Sequence, residues 1–227
     1  MDCRIRPEEF AQVIGCTACS STTTDPHLLR DDRENVPQPG YVGPRYEETR
    51  LLLVGQNPAQ PPPGLAERDL KYTAALRALL EKRDRETYES LATMMPGYMR
   101  DWPIYDDYFS LKECGLDVTE IAYCNVVRCR TERNDNGTYW RPNPGAIRNC
   151  RPHLLQWLEL LKPTAVILIG TWSGDKVCKY LPPDMPRIVM RRRSRTGSYM
   201  TSEEKECQRR RAAKFIQDHI RRSELRG

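Results

Sequence analysis

Leu51-Leu-Leu-Val-Gly-Gln-Asn-Pro-Ala59 is a short apolar run that stops at a glycine and continues into a loop rich in proline. Four consecutive apolar residues bounded in this way predict a buried strand. Helical patterns follow at 65–85 and 151–161. Three further apolar runs predict strands: Ile121–Val127, Ala165–Gly170 and Arg187–Met190. Strands that alternate with helices at this spacing predict parallel βαβ units, and therefore an α/β fold.

Small or polar residues follow each predicted strand. The carboxyl ends of parallel strands meet at one edge of a sheet, where α/β proteins bind their ligands. We expect this edge to carry Gly55, Gln56, Asn57, Asn125, Gly170-Thr171 and the arginine-rich segment after residue 190. The segments 20–48 and 130–146 are rich in Pro, Asp, Asn, Gly and Thr, which predicts long surface loops.

The length and composition predict one domain. The chain has 227 residues, 39% of them hydrophobic, and no apolar stretch long enough to span a membrane. We therefore expect a single domain over 1–227 that ends in a basic helix over 202–222. The first ten residues lack the layout of a secretory signal, which predicts a reducing compartment, the cytoplasm or the nucleoid. Nine cysteines in such a compartment favour metal ligands and buried thiols over disulfides.

Positive charge is concentrated at the C-terminal end. The net charge is +5, but 187–227 holds thirteen Lys/Arg and five Asp/Glu. Arg191, Arg192, Arg193, Ser194 and Arg195 form a basic segment directly after the last predicted strand, where a polyanion would dock. A solvated helix face is the alternative interpretation of Arg209–Arg211.

Four cysteines have the spacing of a metal centre. Cys16 and Cys19 form a Cys-x-x-Cys pair, whereas Cys129 and Cys150 are single residues separated by twenty others. A cysteine tetrad can bind zinc or an iron–sulfur cluster, because both need thiolates that point at one place. Structural zinc usually takes two tight pairs, so this spacing favours a cluster. The alternative is that these residues are ordinary buried thiols.

Three segments together resemble the uracil-DNA glycosylase superfamily, and specifically its iron–sulfur branch, family four. The run 51–59 resembles the first active-site motif of that superfamily. Asn125-Val-Val-Arg-Cys-Arg130 followed by Pro142-Asn-Pro-Gly-Ala-Ile-Arg-Asn-Cys150 is similar to the iron–sulfur branch and includes both single cysteines. The Cys-x-x-Cys pair stands before the first strand, as it does in that branch.

The resemblance implies a fold and an activity. The fold would be a three-layer αβα sandwich around a short central parallel four-stranded sheet. The activity would be hydrolysis of the N-glycosidic bond of uracil or a related base in single- or double-stranded DNA, by a monofunctional DNA glycosylase that flips the base. The four cysteines would hold a 4Fe-4S cluster that shapes a DNA-facing loop. The resemblance also implies a monomeric protein that does not bind a membrane.

The chain also departs from the family pattern. Gln56 stands where iron–sulfur members have glutamate, and Asn57 follows it as in the mismatch-specific and single-strand-selective branches. The usual His-Pro-Ser motif after the last strand is replaced by the arginine-rich segment. The phenylalanine that stacks on the flipped base has no clear match, and Tyr72 is the nearest aromatic substitute.

These residues suit glycosidic hydrolysis. Asn57, with Gln56 beside it, would orient the attacking water in catalysis, although neither side chain can accept a proton as a carboxylate does. Asn125 offers a donor and an acceptor to a pyrimidine edge, and Gly55 and Tyr72 would complete the base site. The arginine-rich segment would grip phosphates. The alternatives are that it replaces the missing histidine by placing positive charge near the departing base, or that it forms a loop rebuilt for a modified base. A nucleic-acid-binding protein of the same fold that has lost catalysis, and a zinc-stabilised binding protein, are the alternative hypotheses.

Overall fold

The structure is a computed structural model, and it describes residues 6–19, 25–30, 35–61, 63–101, 110–135, 139–191 and 200–220. Seven α-helices lie within them: α1 Pro7–Ile14, α2 Tyr46–Thr49, α3 Ala66–Lys82, α4 Arg85–Asp101, α5 Pro144–Leu161, α6 Thr171–Val177 and α7 Ser202–His219. The strands are β1 Leu28–Leu29, β2 Tyr41–Val42, β3 Leu51–Gly55, β4 Ile121–Asn125, β5 Arg130–Thr131, β6 Ala165–Ile169 and β7 Arg187–Met190.

A five-stranded, mostly parallel sheet has the order β2-β4-β3-β6-β7. The predicted α/β class is confirmed. The pairings of β3 with β6 and of β6 with β7 are parallel, and Leu53 lies opposite Ile167. Every residue of β3, β4 and β6 is buried, as expected for strands covered on both faces.

The predicted number of four strands is wrong, because β2 adds a fifth. This strand has only two residues and lies in a region rich in Pro and Gly, so no hydrophobic period marks it. The bounds of a predicted strand also change, since β4 ends at Asn125 and the chain bends before residue 127.

Helix α5 begins at Pro144, seven residues before the predicted start. The Asn143 side chain accepts a hydrogen bond from the Ala146 N–H (2.9 Å), and proline occupies the first helical position. Both features are typical of a helix N-terminus. Consequently Cys150 lies inside the helix and does not open it.

The predicted surface loops contain short strands, of which β5 is buried and β1 is half-buried. Strands β1 and β5 pair antiparallel, with Leu28 opposite Thr131, and Thr131 is fully buried. The prediction of loops at 20–48 and 130–146, made from polar and turn residues, therefore missed this two-stranded ribbon. The ribbon is held by backbone pairing and polar contacts, which hydrophobic periodicity does not report.

The chain divides into two compact units. The first is drawn from 1–41, 57–102 and 124–161, and the second from 42–56, 103–123 and 162–227. The prediction of a single domain stays a prediction. In the second unit α7 begins at a capping box, in which Thr201 accepts from the Glu204 N–H (3.1 Å). No helix in the described part of the chain is both long and apolar enough to cross a membrane.

Candidate functional site

The Asn57 side chain is anchored in the first unit. Its amide nitrogen Nδ2 donates to Thr131 Oγ1 (3.1 Å) and to the carbonyl oxygen of Pro58 (3.2 Å). The Thr131 hydroxyl donates in turn to the carbonyl oxygen of Trp140 (2.7 Å). The Thr131 hydroxyl proton is therefore committed to Trp140, and its oxygen can only accept from Asn57.

This chain of hydrogen bonds fixes which way the Asn57 amide faces. Both neighbours of the amide nitrogen are acceptors, so the nitrogen and not the oxygen must point at them. The carbonyl oxygen Oδ1 then points away from Thr131 and Pro58. Asn57 is half-buried and follows β3 by two residues. The arrangement presents a fixed hydrogen-bond acceptor at the position where the sequence predicts one.

A buried ion pair supports the strand that carries Thr131. Arg130 Nη2 binds Asp69 Oδ1, and both side chains are about 5% exposed or less. Tyr98 on α4 donates to the same carboxylate oxygen (2.9 Å). Because Asp69 lies on α3, this pair joins α3 and α4 to β5. Buried charges require such partners, since an unpaired charge in the interior is costly.

Tyr72 belongs to the same buried group. Its ring stacks on Tyr98 with 4.5 Å between the ring centroids, and the residue is 2% exposed. Burial raises the pKa of its hydroxyl above the ordinary value. As described, the ring offers no open face to a base, so the stacking role stays a prediction that its placement does not support.

The other residues predicted at the strand ends occupy those ends. Asn125 is the last residue of β4 and is 4% exposed, and Gly55 is the buried last residue of β3. Gln56 follows Gly55 directly and is half-buried. In the first unit the structure therefore holds Asn57 and Asn125, and in the second it holds Gly55 and Gln56. Their predicted roles in catalysis and base binding stay predictions.

Arg191 is the first residue of the predicted basic segment, and its backbone is held by Gln208 on α7. The Arg191 N–H donates to Gln208 Oε1 (2.8 Å), and Gln208 Nε2 donates to the Arg191 carbonyl oxygen (3.1 Å). The Arg191 side chain is exposed. The remaining residues of the segment, Arg192, Arg193, Ser194 and Arg195, lie outside the described residues.

The four predicted metal ligands all lie in the first unit and influence one another. Cys16 and Cys19 follow α1, Cys129 lies between β4 and β5, and Cys150 lies in α5. A hydrogen bond from the Cys150 thiol lowers the pKa of Cys19 to about 6 and raises the pKa of Cys150. Burial, and then the neighbouring Cys19, raises the pKa of Cys129 to about 12.

Two N–H groups point at these sulfur atoms. The Arg128 backbone N–H and the Asn149 side-chain amide lie 3.5 Å from the sulfur atoms of Cys150 and Cys19 respectively. Arg128 is 1% exposed, and its guanidinium donates to the carbonyl oxygen of Pro39 (2.6 Å) and lies over the Trp157 ring. The loop that carries Cys129 is thereby anchored.

The donor set has the chemistry of iron–sulfur ligation. Four thiols come from three segments of one unit, and two N–H groups are directed at sulfur. Among the described residues, no group of three or more His, Cys, Asp or Glu side chains is arranged to hold a metal ion. Every cysteine in the described ranges is a free thiol.

Sequence reasoning missed Thr131, Asp69 and Gln208. Thr131 orients Asn57, the Asp69 carboxylate supports β5, and Gln208 holds the start of the basic segment. Each acts on a residue at least 17 positions away, so no local pattern connects the partners. The sequence carries one signal for Asp69 and Gln208. Each is a polar residue on the side of a helical stretch whose neighbouring residues predict burial.

The family model of the uracil DNA glycosylase superfamily matches residues 43–215, about three quarters of the chain. Together with the mostly parallel sheet, this match shows that the chain belongs to the uracil DNA glycosylase superfamily. Members of this superfamily are DNA glycosylases, and the family acts on DNA. No curated protein matches the chain.

Proposed function

We propose that the protein is a monofunctional DNA glycosylase that flips uracil or a related base out of DNA and hydrolyses its N-glycosidic bond. The observation that carries this proposal is the anchored amide of Asn57. Thr131 and the Pro58 carbonyl hold its nitrogen, which leaves Oδ1 as a preoriented acceptor for a water hydrogen. Preorganised acceptors of this kind lower the cost of positioning water for attack.

The reaction breaks the bond between C1′ of the deoxyribose and the base nitrogen. The sugar passes through an oxocarbenium-like state, and the water oxygen forms the new bond to C1′. The departing base takes the electron pair of the broken bond, and the proton lost by water is taken up by the base or by solvent. Asn57 orients the water and does not become protonated, because an amide is a poor base. An abasic sugar and a free base are the products.

Asn125 supplies base recognition in this proposal. An amide offers one acceptor and two donors, and the edge of uracil carries the complementary carbonyl and N–H groups. Asn125 is 4% exposed at the end of β4, where a strand rather than a loop positions it. Positioning by a strand favours accurate selection of the base.

We also propose that Cys16, Cys19, Cys129 and Cys150 hold a 4Fe-4S cluster. When bound, the cluster would supply a covalent cross-link among three segments of the chain, and no redox step is assigned to it. The Arg128 backbone and the Asn149 amide would donate to its sulfur ligands. Free thiols throughout the described cysteines agree with a reducing compartment such as the cytoplasm, which we include in the proposal.

Iron and sulfide content tests the ligand set. Cys129→Ser should lose most of its iron, its brown absorption and part of its stability, because binding and folding are coupled. Cys207→Ser is the matched control, since Cys207 is an exposed cysteine on α7. Full iron content in Cys129→Ser, at unchanged stability, would remove this residue from the ligand set.

Single-turnover cleavage tests the activity. Cluster-loaded protein is incubated with single- and double-stranded oligonucleotides that contain uracil, and abasic sites are revealed by alkaline cleavage. We expect cleavage by the natural chain and a reduction of about 100-fold or more in Asn57→Ala. Equal rates for the two proteins would exclude the proposed role of Asn57.

The same assay separates the proposal from its alternative. A protein with an intact cluster that binds the uracil oligonucleotide and releases no base would be a nucleic-acid-binding member of the fold without uracil glycosylase activity. Gln56 and Asn57 motivate this second candidate, because neither carries the carboxylate of a general base.

A further inference from the structure

Trp140 and His27 form an exposed pair of stacked rings, here called the ring pair. Their ring centroids are 4.1 Å apart and their planes differ by only 6°. The imidazole covers one side of the indole, yet Trp140 remains 41% exposed. A large aromatic residue left this open is unusual among the described side chains and is typical of a binding surface.

The backbone of Glu132 holds the ring pair in place. The Glu132 N–H donates to the carbonyl oxygen of His27 (2.9 Å), and the Trp140 N–H donates to the carbonyl oxygen of Glu132 (2.9 Å). The Glu132 carboxylate also lies 3.5 Å from His27 Nδ1. One residue therefore fixes both ring-bearing segments. A surface that is already ordered loses little conformational entropy when a ligand binds.

The ring pair is connected to the proposed catalytic residue. The carbonyl oxygen of Trp140 accepts from the Thr131 hydroxyl (2.7 Å), and the same hydroxyl accepts from the Asn57 amide (3.1 Å). Only two hydrogen bonds separate the Trp140 backbone from the Asn57 side chain. These bonds tie the segment that carries the Trp140 ring to Asn57, the residue at which the target nucleotide would bind.

Two exposed arginines adjoin, along the chain, the residues that form and hold the ring pair. Arg133 is exposed, and its guanidinium carbon lies 5.2 Å from the centroid of the Tyr139 ring, whose hydroxyl it also contacts (3.0 Å). Arg141 follows Trp140 directly and is exposed. Tyr139 donates to the carbonyl oxygen of Gln60, three residues after Asn57 (3.2 Å). Exposed arginines next to aromatic rings are the composition of a single-strand nucleic-acid surface.

We propose that the ring pair stacks an unpaired nucleobase adjacent to the target nucleotide, so that the protein prefers single-stranded DNA. The inference rests on the proposed function for the nature of its ligand. Stacking on an aromatic ring requires a base that has left the duplex, and it tolerates any base because each has a π-face. The ring pair would therefore set strand preference and would not select sequence.

Binding of a non-hydrolysable single strand tests this inference. The probe is an oligonucleotide with one 2′-fluoro-2′-deoxyuridine, in which each flanking base is removed in turn, and the dissociation constant is measured by fluorescence anisotropy. We expect removal of one flanking base to weaken binding by the natural chain about tenfold. Trp140→Ala should weaken binding of the intact probe by a similar factor and abolish sensitivity to that base.

Two further variants control for folding. Trp140→Phe keeps an aromatic face and should restore most of the affinity and the sensitivity to the flanking base. Leu155→Ala removes another exposed apolar side chain, 41% exposed on α5, and should leave both unchanged. The stacking proposal would be overturned if Trp140→Ala bound the intact probe as tightly as the unsubstituted protein. It would also be overturned if binding by Trp140→Ala remained fully sensitive to removal of every flanking base.

The outcomes also separate this inference from the proposed function. Cleavage of uracil in duplex DNA, without measurable binding of the single strand, would overturn stacking and leave the glycosylase proposal standing. Failure of the natural chain to bind or cleave any uracil oligonucleotide would overturn both. Binding without cleavage, lost in Trp140→Ala and restored in Trp140→Phe, would support the ring pair and count against catalysis.

Discussion

The β3–β6–β7 part of the sheet and the β1–β5 ribbon are stabilised in different ways. The three sheet strands consist largely of apolar residues, and every residue of β3 and β6 is buried. The ribbon has two residues per strand and depends on the Arg130–Asp69 ion pair and on the hydroxyl of Thr131. Stability that comes from buried apolar surface tolerates small changes in side-chain size, whereas a buried ion pair depends on the identity of both partners.

This difference suggests how the fold divides its tasks. The sheet supplies non-directional stability, and the ribbon supplies the directed hydrogen bonds that orient Asn57. A conservative substitution should therefore be tolerated in the sheet and be harmful in the ribbon.

Loss of the buried cation should be the most damaging change. Arg130→Ala leaves the Asp69 carboxylate buried without its partner, and we expect a loss of about 3–5 kcal/mol in the free energy of unfolding. Arg130→Lys should recover only part of this, because an ammonium group does not reproduce guanidinium geometry. Urea denaturation monitored by circular dichroism gives both values.

The control is an exposed pair of an arginine and a carboxylate. Arg85 and Glu89 on α4 form an ion pair at 2.7 Å with both side chains largely exposed. Arg85→Ala should change the stability little, because solvent screens exposed pairs. Similar losses in Arg85→Ala and Arg130→Ala would show that burial of the ribbon pair carries no special weight.

The central strand of the sheet should behave in the opposite way. Ile167 is fully buried and lies between Leu53 of β3 and Ile188 of β7. Ile167→Ala should cost about 3 kcal/mol through lost burial and the cavity left behind, whereas Ile167→Val should cost only about 1 kcal/mol. The contrast between the two regions fails if Ile167→Val lowers the free energy of unfolding as much as Arg130→Lys does.

The same difference explains what the sequence could predict. All four apolar runs became strands of the sheet, because a buried strand needs only local hydrophobicity and turn residues at its ends. Helix α3 also begins within one residue of the predicted start. The structure places the four predicted cysteines in one unit, and their role as metal ligands stays a prediction.

The rest required information that no local window contains. Strand β5 is polar and short, and its partner β1 is about 100 residues away in the sequence. Asp69 and Arg130 are separated by 61 residues, and Asn57 and Thr131 by 74. Composition predicted loops at 20–48 and 130–146, the stretches that contain β1 and β5, since charged and hydroxyl residues usually face solvent. Their burial follows from pairing, which is a property of the folded chain.

Thr131 provides the next prediction, on activity rather than stability. Thr131→Val keeps the volume but removes the acceptor of the Asn57 amide, and we expect the single-turnover rate to fall about tenfold. Thr131→Ser restores the hydroxyl and should recover most of the rate. Thr93→Val, which removes an exposed hydroxyl bonded within α4 (2.8 Å), should leave the rate unchanged. A full rate in Thr131→Val would show that Asn57 needs no such support.

The smallest effect is expected at Arg191, where the sheet meets the basic segment. Gln208 holds the Arg191 backbone at the end of β7, while the side chain is exposed and contributes charge rather than packing. Arg191→Ala should leave the free energy of unfolding unchanged and should reduce the salt dependence of single-strand binding by about 0.7, the value for one phosphate contact. Arg85→Ala is the matched control for an exposed arginine on another element. Because Gln208 bonds the backbone of Arg191, Gln208→Ala should instead lower stability while the side-chain charge is retained. A salt slope that falls in Gln208→Ala and not in Arg191→Ala would mean that the position of the segment, and not the charge of its first residue, determines the contact with DNA.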